Sequence, residues 1–376
     1  MNWQSAIVQT LRTTKANLSR FGDRFPIVSK GNGKYVLDDH TSWTEGFWSG
    51  ILWLSFEYSQ EPVFREAAAN TVASLRRRLE RNIHMDHHDI GFLYSPSAMA
   101  QWMLEKDEQA RALALQAADA LMRRWRERSQ LFQAWGPEND PLNGGRIIID
   151  CLMNLPLLYW ATEQTSNPIY AERARIHADR SLRYLVRGDD SSYHTFSFDQ
   201  QTGDAIRGST HQGARDGSTW TRGQAWGVYG FALAYRYLRE PRYLEAARRL
   251  ARHFIARLPE DHVAYWDFDV PQKEGTPRDS SASAIAACGM LEAAEHLPSG
   301  DPDRELLLDA ANRSMASLTD RYFTAGSLEE EGFLRHGSYS VRDRVSPDDF
   351  VIWGDYFYLE ALLRLDRGAP GYWYER

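Results

Sequence analysis

Apolar and polar positions along this chain alternate between two kinds of segment, both with helical spacing. Segments of the first kind open with Gly, Ser, Thr or Trp and continue as an apolar run; they begin near Trp43, Ser95, Ile147, Thr219, Ser280 and Trp353. Segments of the second kind are rich in Arg and Glu; they lie near residues 4–20, 62–81, 106–128, 168–186, 241–257 and 302–321. The pattern predicts six pairs of helices.

The second kind of segment has only one apolar face. In one of these segments, apolar residues follow the helical spacing i, i+4, i+7, i+11; they are Ala68, Val72, Leu75 and Leu79. A helix with one apolar stripe covers a core, whereas a helix that is apolar all round is buried. Six of each in alternation predict an all-α fold, an (α/α)₆ barrel forming a single domain over residues 1–376. A solenoid of helix pairs is the alternative, although solenoids have tighter repeats.

Two long polar loops, at 188–218 and 258–279, interrupt the helices. Loops of this length in a compact domain usually carry a function. Residues 193–198 alternate like a strand, and a turn follows at 201–204. We therefore expect short hairpins over one mouth of the barrel, where the inner helices open and a pocket should form.

Proline residues suggest two details of the helices. Ser95 and Pro96 are typical of an N-cap followed by proline at the first helical position. The run from Arg146 to Ala161 is predicted to be one helix with a kink near Leu152, because Pro156 interrupts its hydrogen bonding.

Two carboxylates stand out because each lies in apolar sequence at the opening of a predicted inner helix. Asp150 follows three isoleucines, and Asp89 precedes Ile-Gly-Phe. Burial penalises the charged form, and two neighbouring carboxyls do not easily both ionise, so one keeps its proton. A general acid needs such a proton. The alternative is that Asp89 caps a helix and Asp150 pairs with a buried Arg.

Tryptophans concentrate at the same openings and loops: Trp43, Trp48, Trp135, Trp220, Trp226 and Trp266. Aromatic faces bind the apolar faces of sugar rings, so this set favours a carbohydrate ligand; the alternative is that these rings belong to the core. Arg222 lies four residues before Trp226 and therefore on the same helix face, where it suits a substrate carboxylate. Its alternative partners are Asp216 or a loop carbonyl.

Charge and composition exclude several classes of function. The net charge of −7 and the scattered basic residues argue against nucleic acid as a partner. No apolar run has the length of a membrane span, and no secretory signal is visible at the N-terminus. Cys151 and Cys288 lie far apart in apolar helical patterns, so we expect buried free thiols and a cytoplasmic protein.

Metal and nucleophile sites are disfavoured. His84, Asp86, His87, His88 and Asp89 lie close together in sequence, but the H-E-x-x-H spacing is missing and consecutive side chains should point apart. Neither a glycine-rich phosphate loop nor a Gly-x-Ser-x-Gly elbow occurs. The sequence therefore predicts no metal, no other cofactor and no Ser or Cys nucleophile.

Taken together, the motifs resemble the unsaturated glucuronyl hydrolases of glycoside hydrolase family 88. The matching stretches lie in order along nearly the whole chain: Trp43–Trp53, His87–Ser95, Trp135, Gly144–Asn154, His194, His211–Gly213, Ser218–Trp226 and Arg335–Tyr339. The resemblance implies that Asp150 is the general acid/base and that Asp89 is the second catalytic carboxylate. It also implies substrate-binding roles for Trp43, His88, Trp135, His194, Gln212, Trp220, Arg222, Trp226 and Tyr339.

The resemblance further implies an oligosaccharide substrate left by a polysaccharide lyase, with a 4,5-unsaturated uronic acid at its nonreducing end. The reaction would be hydration of the C4=C5 enol ether, which differs from protonation of a leaving oxygen. Alternatives are an unsaturated rhamnogalacturonyl hydrolase, a conventional inverting glycosidase and a non-catalytic sugar-binding protein. Members suited to sulfated fragments carry Ser and Lys in a C-terminal loop. Residues 364–376 contain neither, which favours unsulfated substrates, although Arg364 and Arg367 could supply charge.

Overall fold

The computed structural model describes residues 3–327 and 329–375. Over these residues the protein is an (α/α)₆ barrel, in which inner and outer helices alternate along the chain as predicted. The outer helices are α1 (Trp3–Phe21), α3 (Pro62–Glu80), α6 (Glu108–Met122), α8 (Ile169–Tyr184), α10 (Pro241–Ala256) and α12 (Pro302–Ser317), which a π-helical turn at Leu318–Tyr322 extends.

The inner helices open at one mouth of the barrel, and several begin with irregular turns. They are α2 (Glu45–Ser59), α4 (Ile90–Tyr94) joined to α5 (Ala100–Glu105) by a π-helical segment at Ser95–Met99, α7 (Pro156–Thr165) preceded by a 3₁₀ turn at Ile149–Met153, α9 (Thr221–Leu238), α11 (Ser280–Glu295) and α13 (Ile352–Arg367).

Small residues let the inner helices approach one another closely. Every residue of α9 from Thr221 to Ala234 is buried, as expected for a helix that is apolar all round. A Cβ atom on Gly230 would lie 2.4 Å from the Cβ of Leu152, so only glycine allows α9 to pack against the 3₁₀ turn. Glycine at this position therefore presses α9 onto the segment that contains Asp150.

The strands are short and antiparallel. They form the pairs β1 (Phe25–Ser29) with β2 (Tyr35–Asp38) and β3 (Trp125–Arg126) with β4 (Leu131–Phe132), and a three-stranded sheet of β5 (Arg146–Ile148), β6 (Thr195–Phe198) and β7 (Ala205–Ser209). In the sheet, Ile148 pairs with Thr195, which pairs in turn with Ser209. The hairpin predicted for residues 193–204 is confirmed.

Two predicted helix starts are wrong. Helix α4 begins at Ile90 with Asp89 as its N-cap residue, so Ser95 opens a π-helical segment inside a continuing helix. Arg146–Ile148 form strand β5, because a run of isoleucines suits a buried strand as well as a helix and pairing with β6 decides between them. Pro156 stands at the first position of α7, where its missing N–H costs nothing, so it starts this helix rather than kinking it.

The C-terminal segment lies at the end of the barrel opposite the mouth, because α13 runs away from the mouth. Arg364 is buried and ion-paired with Glu292 and Glu360, and the Arg367 guanidinium stacks 3.8 Å from the centre of the Tyr58 ring. The idea that these arginines supply charge to a substrate is therefore wrong. The absence of Ser and Lys from this segment likewise says nothing about sulfated substrates.

Two smaller expectations concern the cysteines and the length of the helices. Both cysteines are buried and free, as predicted. Over the described residues, each helix is either too short or too polar to cross a membrane.

Candidate active site

Backbone hydrogen bonds align four separate segments at the mouth of the barrel. The His88 amide donates to the Ala134 carbonyl at 2.9 Å, and the Ala134 amide donates to the Arg146 carbonyl at 3.0 Å. The Ile149 amide then donates to the His194 carbonyl at 3.1 Å, which joins the end of β5 to the start of β6. This alignment brings both predicted acids and His194 to one place, although they are far apart in sequence.

The two predicted acids lie next to each other with a histidine. One ligand-type atom each from His88, Asp89 and Asp150 lies within 4.8 Å of the others. The Nε2 atom of His88 is 3.4 Å from Asp89 Oδ1, and the Nδ1 atom of His87 is 3.6 Å from Asp89 Oδ2. The expectation that the side chains of residues 87–89 point apart is therefore wrong, because both imidazoles face the Asp89 carboxylate.

Asp150 has the environment of a proton-carrying acid. Its Oδ1 atom is buried, with no hydrogen-bond partner in the part of the chain that the structure describes. Burial raises the pKa of Asp150 well above its usual value, the charge of Asp89 raises it further, and the opposing effect of Arg222 is smaller. The side chain keeps partial exposure and forms no ion pair with any Arg that the structure describes, since the buried Arg222 pairs with Asp279. The predicted alternative of a buried Asp–Arg pair at Asp150 is therefore wrong for the described residues.

Asp89 has the opposite character. Burial opposes its ionisation, but His88, His87 and Asn154 together outweigh this effect and hold the pKa of Asp89 below its usual value. His88 is fully buried, and burial lowers its pKa to about 4. The surroundings therefore shift the two acids in opposite directions, favouring the ionised form of Asp89 and the protonated form of Asp150, with a neutral His88 beside them near neutral pH.

Asn154 connects the two acids and was missed by sequence reasoning. Its Nδ2 atom donates to Asp89 Oδ1 at 3.4 Å and to the Asp150 carbonyl at 3.3 Å, while its Oδ1 atom accepts from the Phe92 amide at 2.7 Å. A Cβ atom on Gly91 would lie 2.5 Å from the Asn154 Cα, so this approach requires glycine. The sequence offered one signal for Asn154, which is its position in an apolar run four residues after Asp150.

His194 is fixed as a neutral hydrogen-bond donor. Its Nδ1 atom accepts from the backbone amides of His211 at 3.1 Å and Gln212 at 3.2 Å. Burial and the nearby cationic groups lower the pKa of His194 well below its usual value, so the ring carries its hydrogen on Nε2. Its ring centre lies 4.3 Å from that of Trp220. Two predicted substrate-binding side chains therefore form one unit.

A second unit contains Trp43, Gln212 and Tyr339. The indole Nε1 of Trp43 donates to the Tyr339 hydroxyl at 3.2 Å, and Gln212 Nε2 donates to the Tyr339 carbonyl at 2.9 Å. All three side chains keep partial exposure at the mouth. Burial raises the pKa of Tyr339, and this effect outweighs the opposing effects of the Trp43 hydrogen bond and the Arg222 charge.

The remaining tryptophans divide between mouth and core. Trp135 is partly exposed, with its ring centre 5.0 Å from that of His211. Trp226 is 1% exposed and packs against Phe92 and Phe357 beneath the mouth, so direct contact with a sugar stays a prediction for it. The rings of Trp48 and Trp266 are also buried, as the core alternative predicted.

Arg222 is held by several partners. Its Nη1 atom donates to the Asp279 carboxylate and to the Ser338 carbonyl, and its Nη2 atom donates to the Tyr339 carbonyl at 2.7 Å. Asp216, the partner considered from the sequence, pairs with Arg207 instead. Three of the five guanidinium N–H groups are used by these described residues, and the side chain is 1% exposed, so contact with a substrate carboxylate stays a prediction.

The cluster of His88, Asp89 and Asp150 is also the one place where the described residues group three potential metal ligands. Three protein ligands are the usual number for a catalytic zinc. A carboxylate that binds a metal must be deprotonated, however. The burial of Asp150 and the charge of Asp89 both favour the protonated form of Asp150. The geometry therefore suits proton transfer better than metal binding, and the predicted absence of a metal stays a prediction.

Comparisons with known proteins agree with this chemistry. A family model described as Glycosyl Hydrolase Family 88 matches residues 19–364. An unsaturated glucuronyl hydrolase from Bacillus sp. (strain GL1) is 63% identical over 374 residues, which cover 100% of this chain and 99% of the relative. The crystal structure of that hydrolase has a TM-score of 0.98 over the same shares of both chains.

Two similar solved structures contain sugars. A UGL variant with one Asp replaced by Asn, solved with dGlcA-Glc-Rha-Glc, is 63% identical with a TM-score of 0.98 and covers 100% of this chain and 99% of its own. An unsaturated glucuronyl hydrolase variant from Streptococcus agalactiae, complexed with dGlcA-GalNAc6S, is 38% identical with a TM-score of 0.88. The match to it covers 99% of this chain and 93% of the other.

Proposed function

Because this chain belongs to Glycosyl Hydrolase Family 88, we propose that it releases a 4,5-unsaturated uronic acid from the nonreducing end of lyase-generated oligosaccharides. It is a glycoside hydrolase by family. The observation that carries the proposal is the pair at the barrel mouth, in which Asp150, whose buried Oδ1 atom has no partner among the described residues, lies beside Asp89. A sugar with an enol ether needs such a proton donor.

The proposed reaction is hydration of the C4=C5 bond. Asp150 gives its proton to C4, so that a C4–H bond forms and the π electrons leave an oxocarbenium-like centre at C5. Water then adds to C5 and returns a proton to the Asp150 carboxylate, which restores the acid. The hemiketal formed collapses with ring opening, and the glycosidic link is lost. Since no leaving oxygen is protonated first, the separation of the two carboxyls does not predict retention or inversion.

The neighbouring residues supply charge and orientation in this scheme. The negative Asp89 favours the proton on Asp150 and stabilises the positive charge that develops at C5. The Nε2–H of His194 and the Tyr339 hydroxyl are donors for sugar oxygens, and Trp43 and Trp135 offer ring faces. Trp220 is 3% exposed and supports His194 and Arg222, which pack against its ring. Arg222 has N–H groups left to orient the uronic carboxylate, which is the part we propose for it.

Incubation with an unsaturated chondroitin disaccharide tests the proposal. We expect the ultraviolet absorbance of the double bond to disappear with the wild-type protein and to persist with Asp150→Asn. Turnover of saturated glycosides with no effect on the unsaturated sugar would contradict the proposal and favour a conventional glycosidase. Binding without turnover by folded wild-type protein would contradict it in favour of a sugar-binding protein.

The sugar that follows the uronic acid is best identified by a panel. The relatives differ in this respect, since one structure contains dGlcA-Glc-Rha-Glc and another dGlcA-GalNAc6S. Unsaturated disaccharides from chondroitin, hyaluronan, heparin, gellan and rhamnogalacturonan separate the glucuronyl activity from the rhamnogalacturonyl alternative. A cytoplasmic location also stays a prediction, which fits the two free cysteines and is checked by cell fractionation.

A further inference from the structure

We propose that Asp279 is a positioning residue of this site, whose buried carboxylate both holds the Arg222 guanidinium in place and offsets its charge toward Asp150. Asp279 is 0% exposed and Arg222 is 1% exposed, and they face each other across the openings of α9 and α11. The inference rests on the proposed function, because it concerns the proton that Asp150 donates.

Asp279 is anchored on its own helix. It is the N-cap residue of α11, and its Oδ1 atom accepts from the Ala282 amide at 3.3 Å and from the Ser281 hydroxyl. The other oxygen, Oδ2, accepts from Arg222 Nη1. Each carboxylate oxygen therefore has a separate task, one for the helix and one for the guanidinium, and the cap fixes the direction in which Arg222 is held.

Arg222, held by Asp279, in turn holds the loop that contains Ser338 and Tyr339. Besides Asp279, its guanidinium donates to the carbonyls of Ser338 and Tyr339, and it stacks 4.4 Å from the centre of the Trp220 ring. Tyr339 in turn accepts from Trp43. Displacement of Arg222 would therefore move the Tyr339 loop and the indole faces together.

Several titratable groups near Asp150 are uncharged near neutral pH. Burial raises the pKa of the Tyr339 hydroxyl and of the Cys151 thiol, and it lowers the pKa of His88 to about 4. Among the described residues, the negative Asp89 and the positive Arg222 are the charges that act on the Asp150 carboxyl. Arg222 lowers the pKa of Asp150, and so opposes the protonated form that the reaction needs.

Asp279 limits that opposition. A buried guanidinium without its carboxylate would act on Asp150 with its full positive charge, since little water is present to screen it. With the Asp279 carboxylate in an ion pair beside it, the guanidinium acts on Asp150 with little net charge. The site thus keeps an arginine for the substrate carboxylate without losing the proton of its acid.

The pH dependence of kcat/KM tests this role. Activity requires protonated Asp150, so it falls on the basic limb, as the pH rises through the pKa of that carboxyl. Asp279→Asn keeps a cap acceptor but removes the charge, and we expect the basic limb to move to lower pH. At pH values above the pKa of Asp150, a decrease of this pKa by one unit lowers the protonated, active fraction of the enzyme about tenfold. Arg222→Gln should move the limb to higher pH, and the double variant should return it toward the wild-type position.

A matched control is Asp107→Asn, which alters the N-cap of the outer helix α6, where Asp107 accepts from the Ala110 amide at 2.8 Å. Its basic limb should match that of the wild type. Asp279→Glu keeps the charge but displaces the guanidinium, so it should raise KM while leaving the limb in place. A basic limb that stays unchanged in folded Asp279→Asn, or that the second substitution fails to restore, would overturn the proposal.

A folding failure of Asp279→Asn and a failure of the proposed function can each be distinguished from a failure of the Asp279 proposal. If Asp279→Asn does not fold, Arg222→Gln and the double variant, which buries no unpaired charge, still test the proposal. The basic limb of kcat/KM should lie at higher pH in Arg222→Gln than in the wild type. It should lie at lower pH in the double variant than in Arg222→Gln. If the wild type itself leaves the disaccharide unchanged, the proposed function fails. The infrared carboxyl band of Asp150, which needs no turnover, then tests Asp279: ionisation of Asp150 at lower pH in Asp279→Asn than in the wild type supports its role, and equal ionisation contradicts it.

Discussion

The two ends of the barrel both bury acidic side chains, but in opposite ways. At the end away from the mouth, Glu292 is 0% exposed and accepts from Arg236, His296 and Tyr374, with Arg364 at 3.1 Å. Burial opposes its ionisation, yet His296, Arg364 and Arg236 outweigh this and hold the pKa of Glu292 at about 2. At the mouth, the Oδ1 atom of Asp150 lacks a described partner.

The difference shows that burial alone does not make a catalytic acid. Glu292 and Glu360 are as buried as any group in the molecule, but Arg364 ion-pairs with both, and Trp373 Nε1 donates to Glu360 at 2.9 Å. Networks that give each buried carboxylate several cationic and hydrogen-bonding partners fix structure. A carboxyl becomes an acid for chemistry when it is desolvated, left without partners and placed next to another carboxylate.

Removal of the mouth acid should give the largest change in activity. We expect Asp150→Asn to lower kcat on an unsaturated disaccharide by about 10²–10⁴-fold, since it removes the general acid. Stability should stay the same or rise, because burial of this carboxyl disfavours its charged form. Absorbance assays and thermal unfolding check the two parts. Retained turnover by the variant would remove Asp150 from the mechanism.

The matching substitution at the other end should act on stability instead. Glu292→Gln leaves Arg364 and Arg236 with less compensating charge, and loss of one partner of a buried pair costs about 3–5 kcal/mol. Chemical unfolding measures this cost, while the pH profile of the remaining native enzyme should match the wild type. An unchanged free energy of unfolding would contradict the structural role of this network.

The lowered pKa of Glu292 determines how its contribution to the stability of the protein changes with pH. Since the pKa of Glu292 falls from 4.5 to about 2 on folding, its contribution to stability is complete above pH 4.5 and is lost as the pH falls toward 2. The wild type should therefore lose stability in this window more steeply than Glu292→Gln. Equal slopes for the two proteins would count against the assignment.

Asp89→Asn should have a smaller effect on activity than Asp150→Asn, but it should shift the pH profile. The negative charge of Asp89 raises the pKa of Asp150, so its removal should move the basic limb of kcat/KM to lower pH. Activity at neutral pH should fall strongly, because less Asp150 carries a proton. A basic limb that stays in place would show that the two carboxyls do not interact.

The smallest effect is expected from metal removal. A protonated Asp150 is a poor ligand, so dialysis against EDTA should leave activity unchanged, and metal analysis of the protein as purified should find substoichiometric zinc. Loss of activity on chelation, restored by added metal, would instead assign His88, Asp89 and Asp150 to a metal site.

Much of the architecture could be predicted from the sequence, because helical periodicity and all-round apolar character are local properties. Asp150 was recognisable for the same reason, as one carboxylate in an apolar run. Asp279 was not, since it meets Arg222 across 57 residues of sequence and reads locally as an ordinary N-cap. The pairing of Trp43 with Tyr339 is likewise a product of tertiary packing.

The errors have similar physical causes. Isoleucines before Asp150 suit strand and helix alike, and only the partner strand β6 decided between them. The placement of Arg364 away from the mouth follows from the direction of α13, which composition cannot reveal. The imidazoles of His87 and His88 both face the Asp89 carboxylate because the chain bends at His88, just before α4 begins.

The most direct test is the protonation state of Asp150 itself. An infrared difference spectrum between the wild type and Asp150→Asn at neutral pH reports whether this carboxyl is protonated or ionised. We predict that the wild type shows the C=O stretch of a protonated carboxylic acid and that the variant lacks it. A difference spectrum that contains only bands of an ionised carboxylate would contradict the account.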